Sequence, residues 1–131
     1  MTLDKSVSDS LVAAARAAAD RAYCPYSGHP VGAAVLTADG ATWPGCNVEN
    51  ASYGLAMCAE RVAIASAIAA GQREIRAVAI YVPGQAPATP CGACRQVLLE
   101  LAPQARLVLA WRDGVEESVV QDWLPRPFQL P

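Results

Sequence analysis

The order of apolar runs and turn residues along the chain constrains its fold more than any other sequence feature. The stretch "VGAAVLTADGATWPGC" holds two apolar segments joined at Asp39-Gly40, a dipeptide typical of β-hairpins. Further along, "IRAVAIYV" and "ARLVLAW" have the length and apolar continuity of buried strands. Helix-like segments separate these runs, which gives the order α-β-β-α-β-α-β-β. That order predicts a mixed α/β sheet with helices packed on it.

Three segments predict the helices. "SDSLVAAARAAADRAY" indicates an amphipathic first helix with Ser8 or Ser10 as the N-cap. The second helix is expected to begin at Cys58 and to end at Gly71, and the third, "CGACRQVLLELA", to stop at Pro103. A weaker strand, "VEESVV", and a Pro-rich C-terminal segment complete the prediction.

Size and composition exclude several function classes. A chain of 131 residues suits a single domain, 1–131, and a 53% hydrophobic content argues against disorder and favours a subunit of an oligomer. A net charge of −2 with scattered basic residues argues against binding to nucleic acid. No stretch approaches the roughly 20 apolar residues of a membrane span, and the N-terminus lacks a signal-peptide core. We therefore expect a cytoplasmic protein with no membrane partner.

The cysteines indicate a metal site. Five cysteines in a chain without a secretion signal argue against a disulfide framework. Cys91 and Cys94 stand at i, i+3 where a helix begins, so both thiols can chelate one ion, and Cys58 begins another helix. Two helix N-termini could thus supply three thiolates to one Zn²⁺ and leave a fourth position open. Cys24 and Cys46 belong to no ligand pattern, and we interpret them as small buried side chains.

Glu60 follows Cys58 by two residues, about 200° away around an ideal helix. The two side chains can converge only on an ion that lies off the helix tip. Each piece has an ordinary alternative, since a cysteine at a helix start is often simply buried and a glutamate in the first turn complements the helix dipole. "CGAC" alone also resembles a thiol-disulfide motif, but that interpretation explains neither Cys58 nor Glu60.

These motifs resemble a known family. "GCNVENASYGLAMCAERVAI" and "PCGACRQVLLEL" resemble the small zinc-dependent cytidine deaminases of the cytidine/deoxycytidylate deaminase superfamily, and "YCPYSGHPVGAAVLTADG" and "WLPRPF" resemble their terminal segments. The resemblance covers most of residues 20–128. It implies an α/β/α sandwich with a five-stranded mixed sheet. It also implies a homotetramer whose active sites are shared between subunits.

The resemblance implies one Zn²⁺ per chain, bound by Cys58, Cys91 and Cys94, which would activate a water near neutral pH. Glu60 would take the water proton during attack on C4 of the cytosine ring, and would then deliver protons to N3 and to the departing ammonia.

Arg61 has a separate electrostatic argument. Three thiolates and Zn²⁺ carry a net charge of −1, which opposes ionisation of the activated water. An arginine beside the ligands can hydrogen-bond the sulfurs and offset that charge. Arg95 could act in the same way, and an ordinary solvated or interface arginine is at least as good an interpretation of it.

The substrate contacts also follow from the resemblance. Asn47 and Glu49 match the ribose-binding pair, and their i, i+2 spacing lets both side chains point to one face of a strand end. Backbone groups near Ala59 would hold the pyrimidine. Tyr53 and Phe128 match positions that reach across subunits, although ordinary aromatic packing is an alternative for both.

His29 departs from the family pattern, because relatives usually carry there a phenylalanine that lines the base pocket. Histidine can still stack on a base, but it adds polarity and can titrate. The substitution weakens the expectation of a strict preference for plain cytidine and deoxycytidine. The last residues, "QLP", are also unlike the usual ending.

The leading hypothesis is hydrolytic deamination of cytidine and deoxycytidine to uridine and deoxyuridine plus ammonia, in pyrimidine salvage. A second keeps the chemistry but takes a modified cytosine nucleoside or an aminonucleoside antibiotic; Asn47 and Glu49 favour an ordinary ribose instead. A third is a non-catalytic zinc-binding module, which has no need of Glu60. A thiol redox protein is the fourth, and metal content would discriminate it.

Overall fold

The computed structural model describes residues 2–131 and confirms the predicted order of elements. The helices and strands are α1 (Lys5–Ala19), β1 (Gly32–Thr37), β2 (Thr42–Cys46), α2 (Ala59–Ala69), β3 (Ile75–Tyr81), α3 (Gly92–Leu101), β4 (Arg106–Trp111) and β5 (Gly114–Val119). Short 3₁₀ turns occupy Tyr53–Leu55 and Val120–Trp123. No helix within residues 2–131 combines the length and the apolar character needed to cross a membrane.

The strands form one five-stranded mixed sheet in the order β2-β1-β3-β4-β5. β3 and β4 run parallel, and the other neighbouring pairs are antiparallel. The β1–β2 hairpin turns where it was predicted, at Asp39-Gly40, and Gly40 has a φ of 88°, which a residue with a Cβ rarely adopts. The predicted α/β class and five-stranded sheet are therefore confirmed.

Helices cover both faces of the sheet, so the core has two halves. On one face, Leu11 and Ala15 of α1 pack against alternate residues of β1, β3 and β4. On the other, Ala63 and Ile64 of α2 and Leu98 of α3 pack against the remaining strand residues. This side-to-side alternation follows from the two-residue period of a strand, and it produces the expected α/β/α sandwich.

Gly45 in β2 sets the position of the α2 N-terminus. A Cβ at this residue would lie 2.5 Å from the carbonyl oxygen of Ala59, closer than any real contact of that kind. Glycine lets the strand lie directly against the first turn of the helix. The first turn of α2, which carries Glu60, is thereby held against the sheet.

The boundaries of α1 differ from the prediction. The helix begins at Lys5 with Asp4 as its N-cap, so neither Ser8 nor Ser10 caps it. The physical reason is a distant contact: the backbone N–H of Leu3 donates to the Glu117 carboxylate at 3.0 Å, which ties the chain to β5 just before the helix. Sequence patterns within the helix carry no sign of this contact.

α1 also ends earlier than predicted, before Tyr23. The backbone of Tyr23 instead pairs with the chain after β2: its N–H donates to the Asn47 carbonyl at 3.0 Å, and its carbonyl accepts from Glu49 N–H at 2.8 Å. This pairing places the loop after α1 next to the segment that carries Asn47 and Glu49.

Candidate metal centre and its cavity

Three thiols meet where α2 and α3 begin. Cys58 is the N-cap of α2, Cys91 is the N-cap of α3, and Cys94 lies in the first turn of α3. The Sγ atoms of Cys58 and Cys91 are 3.9 Å apart, those of Cys91 and Cys94 are 3.5 Å apart, and all three lie within 4.8 Å of one another. Thiolates at the corners of a tetrahedron with Zn–S bonds of about 2.3 Å would be ~3.8 Å apart, so the cluster fits one Zn²⁺.

The thiols differ in how readily they ionise. The pKa of Cys58 falls to about 5, chiefly because the Cys94 thiol stabilises its thiolate and also because Arg61 lies beside it. The pKa of Cys94 rises, first through the same interaction with Cys58 and then through burial. Without metal, the proton is therefore held on Cys94 and the negative charge rests on Cys58. Metal binding must displace that proton, because the ligands are thiolates.

Arg61 is placed where the electrostatic argument requires it. Its Nη2 lies 3.6 Å from the Cys58 sulfur and 3.5 Å from the Ala56 carbonyl oxygen. Its Nε is buried and has no hydrogen-bond partner among residues 2–131. A buried N–H without a partner is costly, so the site favours a hydrogen-bond acceptor at this nitrogen.

Glu60 is the charged residue with the least solvent exposure in the described core, at 4%. Burial is the main cause that raises the pKa of its carboxyl, and the negative charge on Cys58 raises it further. Cys58 and Glu60 both line a single cavity at the tip of α2. A buried carboxyl with a raised pKa is suited to exchanging protons near neutral pH.

That cavity has a volume of about 340 Å³, within the range of sites for small molecules. Its wall is formed by residues from the loop after α1, the segment after β2, the start of α2, β3 and the segment before α3: Ser27, His29, Val31, Asn47, Glu49, Ala56, Met57, Cys58, Ala59, Glu60, Ile80, Ala88, Thr89 and Cys91. The structure thus gathers Asn47, Glu49, Ala59 and His29 with Glu60 and two of the thiols.

Asn47 braces the loop that forms one wall of the cavity. Its Oδ1 accepts from Val31 N–H at 2.8 Å, and its Nδ2 donates to the His29 carbonyl at 3.0 Å. These two bonds use half of the hydrogen-bonding capacity of the amide group. One further acceptor and one further donor position remain for a ligand.

Glu49 holds the preceding part of the same loop. Its Oε1 accepts from the N–H groups of Tyr26 and Ser27 at 3.0 and 3.1 Å, and its Oε2 accepts from the Ser27 hydroxyl. The Ser27 hydroxyl is the main cause that lowers the pKa of Glu49. The carboxylate therefore remains ionised, and its unused lone pairs can accept from a ligand hydroxyl.

Two of the predicted substrate-binding residues, Tyr53 and Phe128, lie outside the cavity. Tyr53 is 78% exposed and contacts Tyr26 edge-to-face, with ring centroids 6.2 Å apart. Phe128 is 73% exposed and lines a groove formed by the C-terminal segment and α3. Neither ring contacts the thiol cluster within this chain.

Sequence reasoning missed several wall residues, of which Ser27 has the clearest role. Its hydroxyl donates to Glu49 and accepts from His29 N–H at 3.0 Å. A serine between proline and glycine residues predicts only a turn, so its link to a residue 22 positions away had no local signal.

The remaining cysteines stay outside the cluster, as expected. Both Cys24 and Cys46 are half-buried, so the prediction that they are buried was wrong. Cys46 lies at the end of β2, where its Sγ contacts the Arg21 carbonyl at 3.5 Å. The irregular pairing after β2 leaves this region only partly covered.

Comparison with known proteins agrees with this geometry. The family described as "Cytidine and deoxycytidylate deaminase zinc-binding region" matches residues 5–110. The chain is 40% identical to a cytidine deaminase of Sporosarcina psychrophila, over 92% of this chain and 90% of that protein. It is 44% identical to one of Halalkalibacterium halodurans, over 90% of this chain and 91% of that protein.

A solved structure is similar along nearly its whole length. The crystal structure of cytidine deaminase from Burkholderia pseudomallei superposes with a TM-score of 0.89 at 50% identity, and it covers 92% of this chain and 98% of that one. Because the family match, the relatives and the fold all coincide with the three-cysteine cluster, the chain belongs to the zinc-binding cytidine and deoxycytidylate deaminase family.

Proposed function

We propose that this protein catalyses the hydrolytic deamination of cytidine and deoxycytidine to uridine and deoxyuridine, with release of ammonia. The observation that carries the proposal is the buried Glu60 in a cavity that is also lined by two of the three clustered cysteines. The similarity to cytidine deaminases over nine-tenths of the chain supports it. A salvage role in pyrimidine metabolism would follow from these substrates.

Cys58, Cys91 and Cys94 would hold the Zn²⁺, which when bound supplies a Lewis acid that makes water nucleophilic near neutral pH. Arg61 contributes positive charge beside Cys58, at 3.6 Å from its sulfur. That charge offsets the excess negative charge of three thiolates. The arginine therefore acts on the reaction through the ligand that it contacts.

Glu60 would move the protons. Its carboxylate takes a proton from the attacking water as the oxygen bonds to C4 of the cytosine ring, and the carboxyl then protonates N3. A second proton passes through the same group to the exocyclic amine, which leaves as ammonia while the C4 carbonyl forms. A pKa raised by burial suits a group that must both accept and donate protons.

The cavity wall would orient the nucleoside. Asn47 and Glu49 have donor and acceptor positions left for the sugar hydroxyls after bracing the loop. The first residue of α2, Ala59, lies on the cavity wall, where backbone groups can contact the pyrimidine. His29 would lie against the base from the braced loop.

A homotetramer with shared active sites would complete the site. Tyr53, Leu55 and Phe128 are at least 68% exposed, so their side chains are available for contact with other copies of the chain. Contact with other copies of the chain would cover them and would bring Tyr53 and Phe128 to neighbouring cavities. We further propose that residues 1–131 form one deaminase-like domain in each subunit.

A modified cytosine nucleoside or an aminonucleoside antibiotic is a second candidate substrate, favoured by one observation. His29 lines the cavity, which adds a polar residue to the wall proposed to hold the base. A purely structural zinc module is a weaker candidate, because it would not explain a glutamate that is 4% exposed at the same cavity.

The test combines metal analysis with a spectroscopic assay. Zinc per chain is measured, and the ultraviolet loss of cytidine and of deoxycytidine is followed for the wild type, Glu60→Gln and the exposed control Glu100→Gln. We expect one zinc per chain in all three proteins, with activity lost only in Glu60→Gln. A zinc-loaded wild type that is inactive on both nucleosides would overturn the proposal, and modified nucleosides would then be screened.

A further inference from the structure

Arg95 follows the metal-binding motif directly, yet its guanidinium does not turn to the sulfurs. It contacts instead the Pro90 carbonyl and Trp123. We propose that Arg95 is a positioning residue that fixes the direction of the Cys91 thiolate and braces the metal-binding turn against the C-terminal 3₁₀ turn. This inference rests on the zinc site of the proposed function, and it assigns to that site a residue that contacts neither metal nor substrate.

Arg95 holds the carbonyl groups on both sides of the Cys91 Cα. Its side-chain Nε donates to the Pro90 carbonyl at 2.7 Å, and its backbone N–H donates to the Cys91 carbonyl at 2.9 Å. The φ and ψ angles of Cys91 are the rotations between the two peptide planes that carry these carbonyls. Holding both planes therefore fixes the direction of the Cα–Cβ bond, and with it the range of positions open to the sulfur.

The contact also satisfies a buried acceptor. Pro90 is fully buried, and its carbonyl precedes the first turn of α3, outside the ladder of helical hydrogen bonds. Long helical side chains lean toward the N-terminus, which lets Arg95 reach back to this carbonyl. Because the donor is charged, the bond is stronger than a bond between neutral groups.

Trp123 holds the other end of the guanidinium. Arg95 Nη1 donates to the Trp123 carbonyl at 3.3 Å, and the guanidinium carbon lies 5.1 Å from the centre of the indole ring. The indole N–H in turn donates to the Ser118 hydroxyl of β5 at 2.7 Å. A chain of contacts thus runs from Pro90 through Arg95 and Trp123 to the edge strand of the sheet.

Cys91 needs this support more than the other two ligands do. It is exposed and makes no capping hydrogen bond, whereas Cys94 is fully buried and Cys58 has Arg61 beside its sulfur. A ligand with little packing around it depends on its backbone for orientation. Loosening that backbone should raise the rate at which zinc is lost, because groups that orient ligands contribute to metal affinity.

The test measures zinc loss directly. Zinc-loaded protein is mixed with an excess of a chromophoric chelator, and the rate of zinc transfer is followed. We expect Arg95→Met to release zinc about tenfold faster than the wild type, the lower end of the usual effect for such groups. Arg95→Lys keeps the positive charge and can still donate one hydrogen bond to the Pro90 carbonyl, but it loses the planar group that stacks on the Trp123 ring. We therefore expect an intermediate rate of zinc release.

A matched control is available on the other face of the sheet. Arg16 of α1 lies 5.2 Å from the centre of the Tyr81 ring, so Arg16→Met also removes an arginine–aromatic contact. This variant should release zinc at the wild-type rate. Trp123→Phe keeps a ring under Arg95 but loses the indole N–H, and its rate should lie between those of the wild type and Arg95→Met.

Cobalt spectra separate a positioning role from a general loss of stability. In Co²⁺-substituted protein, Arg95→Met should alter the thiolate-to-metal absorption bands, and Arg16→Met should not. Wild-type zinc release together with unchanged cobalt bands in Arg95→Met would overturn the proposal, whatever its Tm. If Arg95→Met does not fold, Arg95→Lys and Trp123→Phe decide by the same two criteria.

The outcomes also separate this proposal from the proposed function. A wild type that holds zinc, shows the Arg95 effect and does not deaminate cytidine would overturn the proposed function and support the positioning role. A wild type that binds no zinc would overturn both.

Discussion

The N-termini of α2 and α3 point at one metal site but are built differently. At α2, Cys58 has a pKa of about 5, the side chain of Arg61 lies 3.6 Å from its sulfur, and Glu60 follows in the first turn. At α3, Cys91 is exposed and the pKa of Cys94 is raised. Charged side chains that act on the site thus cluster at α2, while α3 contributes two ligands on a turn held by Arg95.

The difference indicates a division of tasks. The α2 terminus would supply proton transfer and charge balance, because Glu60 lines the cavity and Arg61 lies beside the Cys58 sulfur. The α3 terminus would supply ligand geometry, because its arginine is directed into the protein. Substitutions of Glu60 and Arg61 should therefore change rates and pH profiles with zinc retained, and substitution of Arg95 should change zinc retention first.

The largest effect is expected from Glu60→Gln. Removing the proton-transfer group should lower kcat/KM for cytidine by about 10²–10⁴-fold, while zinc per chain stays at the wild-type value. The ultraviolet assay and metal analysis of the same sample measure both quantities. Activity within tenfold of the wild type would contradict the proposed difference between the two helix termini, because Glu60 of α2 would then not be the main proton-transfer group.

A smaller effect is expected from Arg61→Gln. Loss of the positive charge beside Cys58 should lower kcat/KM about tenfold and move the rising limb of the pH–rate profile to higher pH, with zinc retained. The rising limb moves to higher pH because excess negative charge opposes ionisation of the water. Arg73→Gln, in the exposed segment after α2, is the control. A reduced activity with an unchanged pH profile would contradict the charge-balancing role.

The sequence predicted the features that depend on local pattern. The Asp39-Gly40 turn and the cysteines at helix starts are such features, since turn chemistry and i, i+3 spacing act over a few residues. The features that it could not predict depend on distant partners. The Leu3–Glu117 contact spans 114 residues, and the Arg95–Trp123 contact spans 28.

The direction of a side chain was the hardest feature to predict. Arg61 follows the ligand Cys58 by three residues and Arg95 directly follows the ligand Cys94, so each could have served the sulfurs. Only the tertiary structure distinguishes the two arginines, because the Arg95 guanidinium contacts the Trp123 indole and the Pro90 carbonyl and not the sulfurs. The same holds for Ser27, whose partner Glu49 lies beyond the β1–β2 hairpin in the sequence.

The thiols offer a smaller, direct test of the contrast between the two termini. In zinc-free protein at pH 6.5, Cys58 is mostly thiolate, since its pKa is about 5. A lower pKa also weakens the nucleophile, so the net gain in alkylation rate over a thiol of ordinary pKa is only about threefold. Cys46, which is half-buried like Cys58 and lies outside the cluster, is the reference for accessibility. Peptide mass spectrometry after iodoacetamide treatment should find Cys58 modified faster than Cys46, and equal rates would contradict the charge arrangement.

The smallest effect concerns stability and Glu60. Burial raises the pKa of its carboxyl in the folded protein above the value of about 4.3 expected when unfolded. The folded state then binds the Glu60 proton more tightly than the unfolded state does. The stability that the protonated carboxyl contributes is therefore present below the pKa of the unfolded state, and it is lost as pH rises through the pKa of the folded state. Glutamine cannot ionise and escapes this loss.

Zinc-free Glu60→Gln should therefore unfold at about 2–5 °C higher than zinc-free wild type at pH 8, and at nearly the same temperature at pH 4. Thermal unfolding followed by circular dichroism at the two pH values measures the difference. Glu100→Gln, on the exposed side of α3, should change Tm little at either pH. A Glu60→Gln gain of the same size at pH 4 and pH 8 would mean that packing, and not the charge of Glu60, sets its cost to the fold. That result would contradict the conclusion that burial at the α2 terminus raises the pKa of the Glu60 carboxyl.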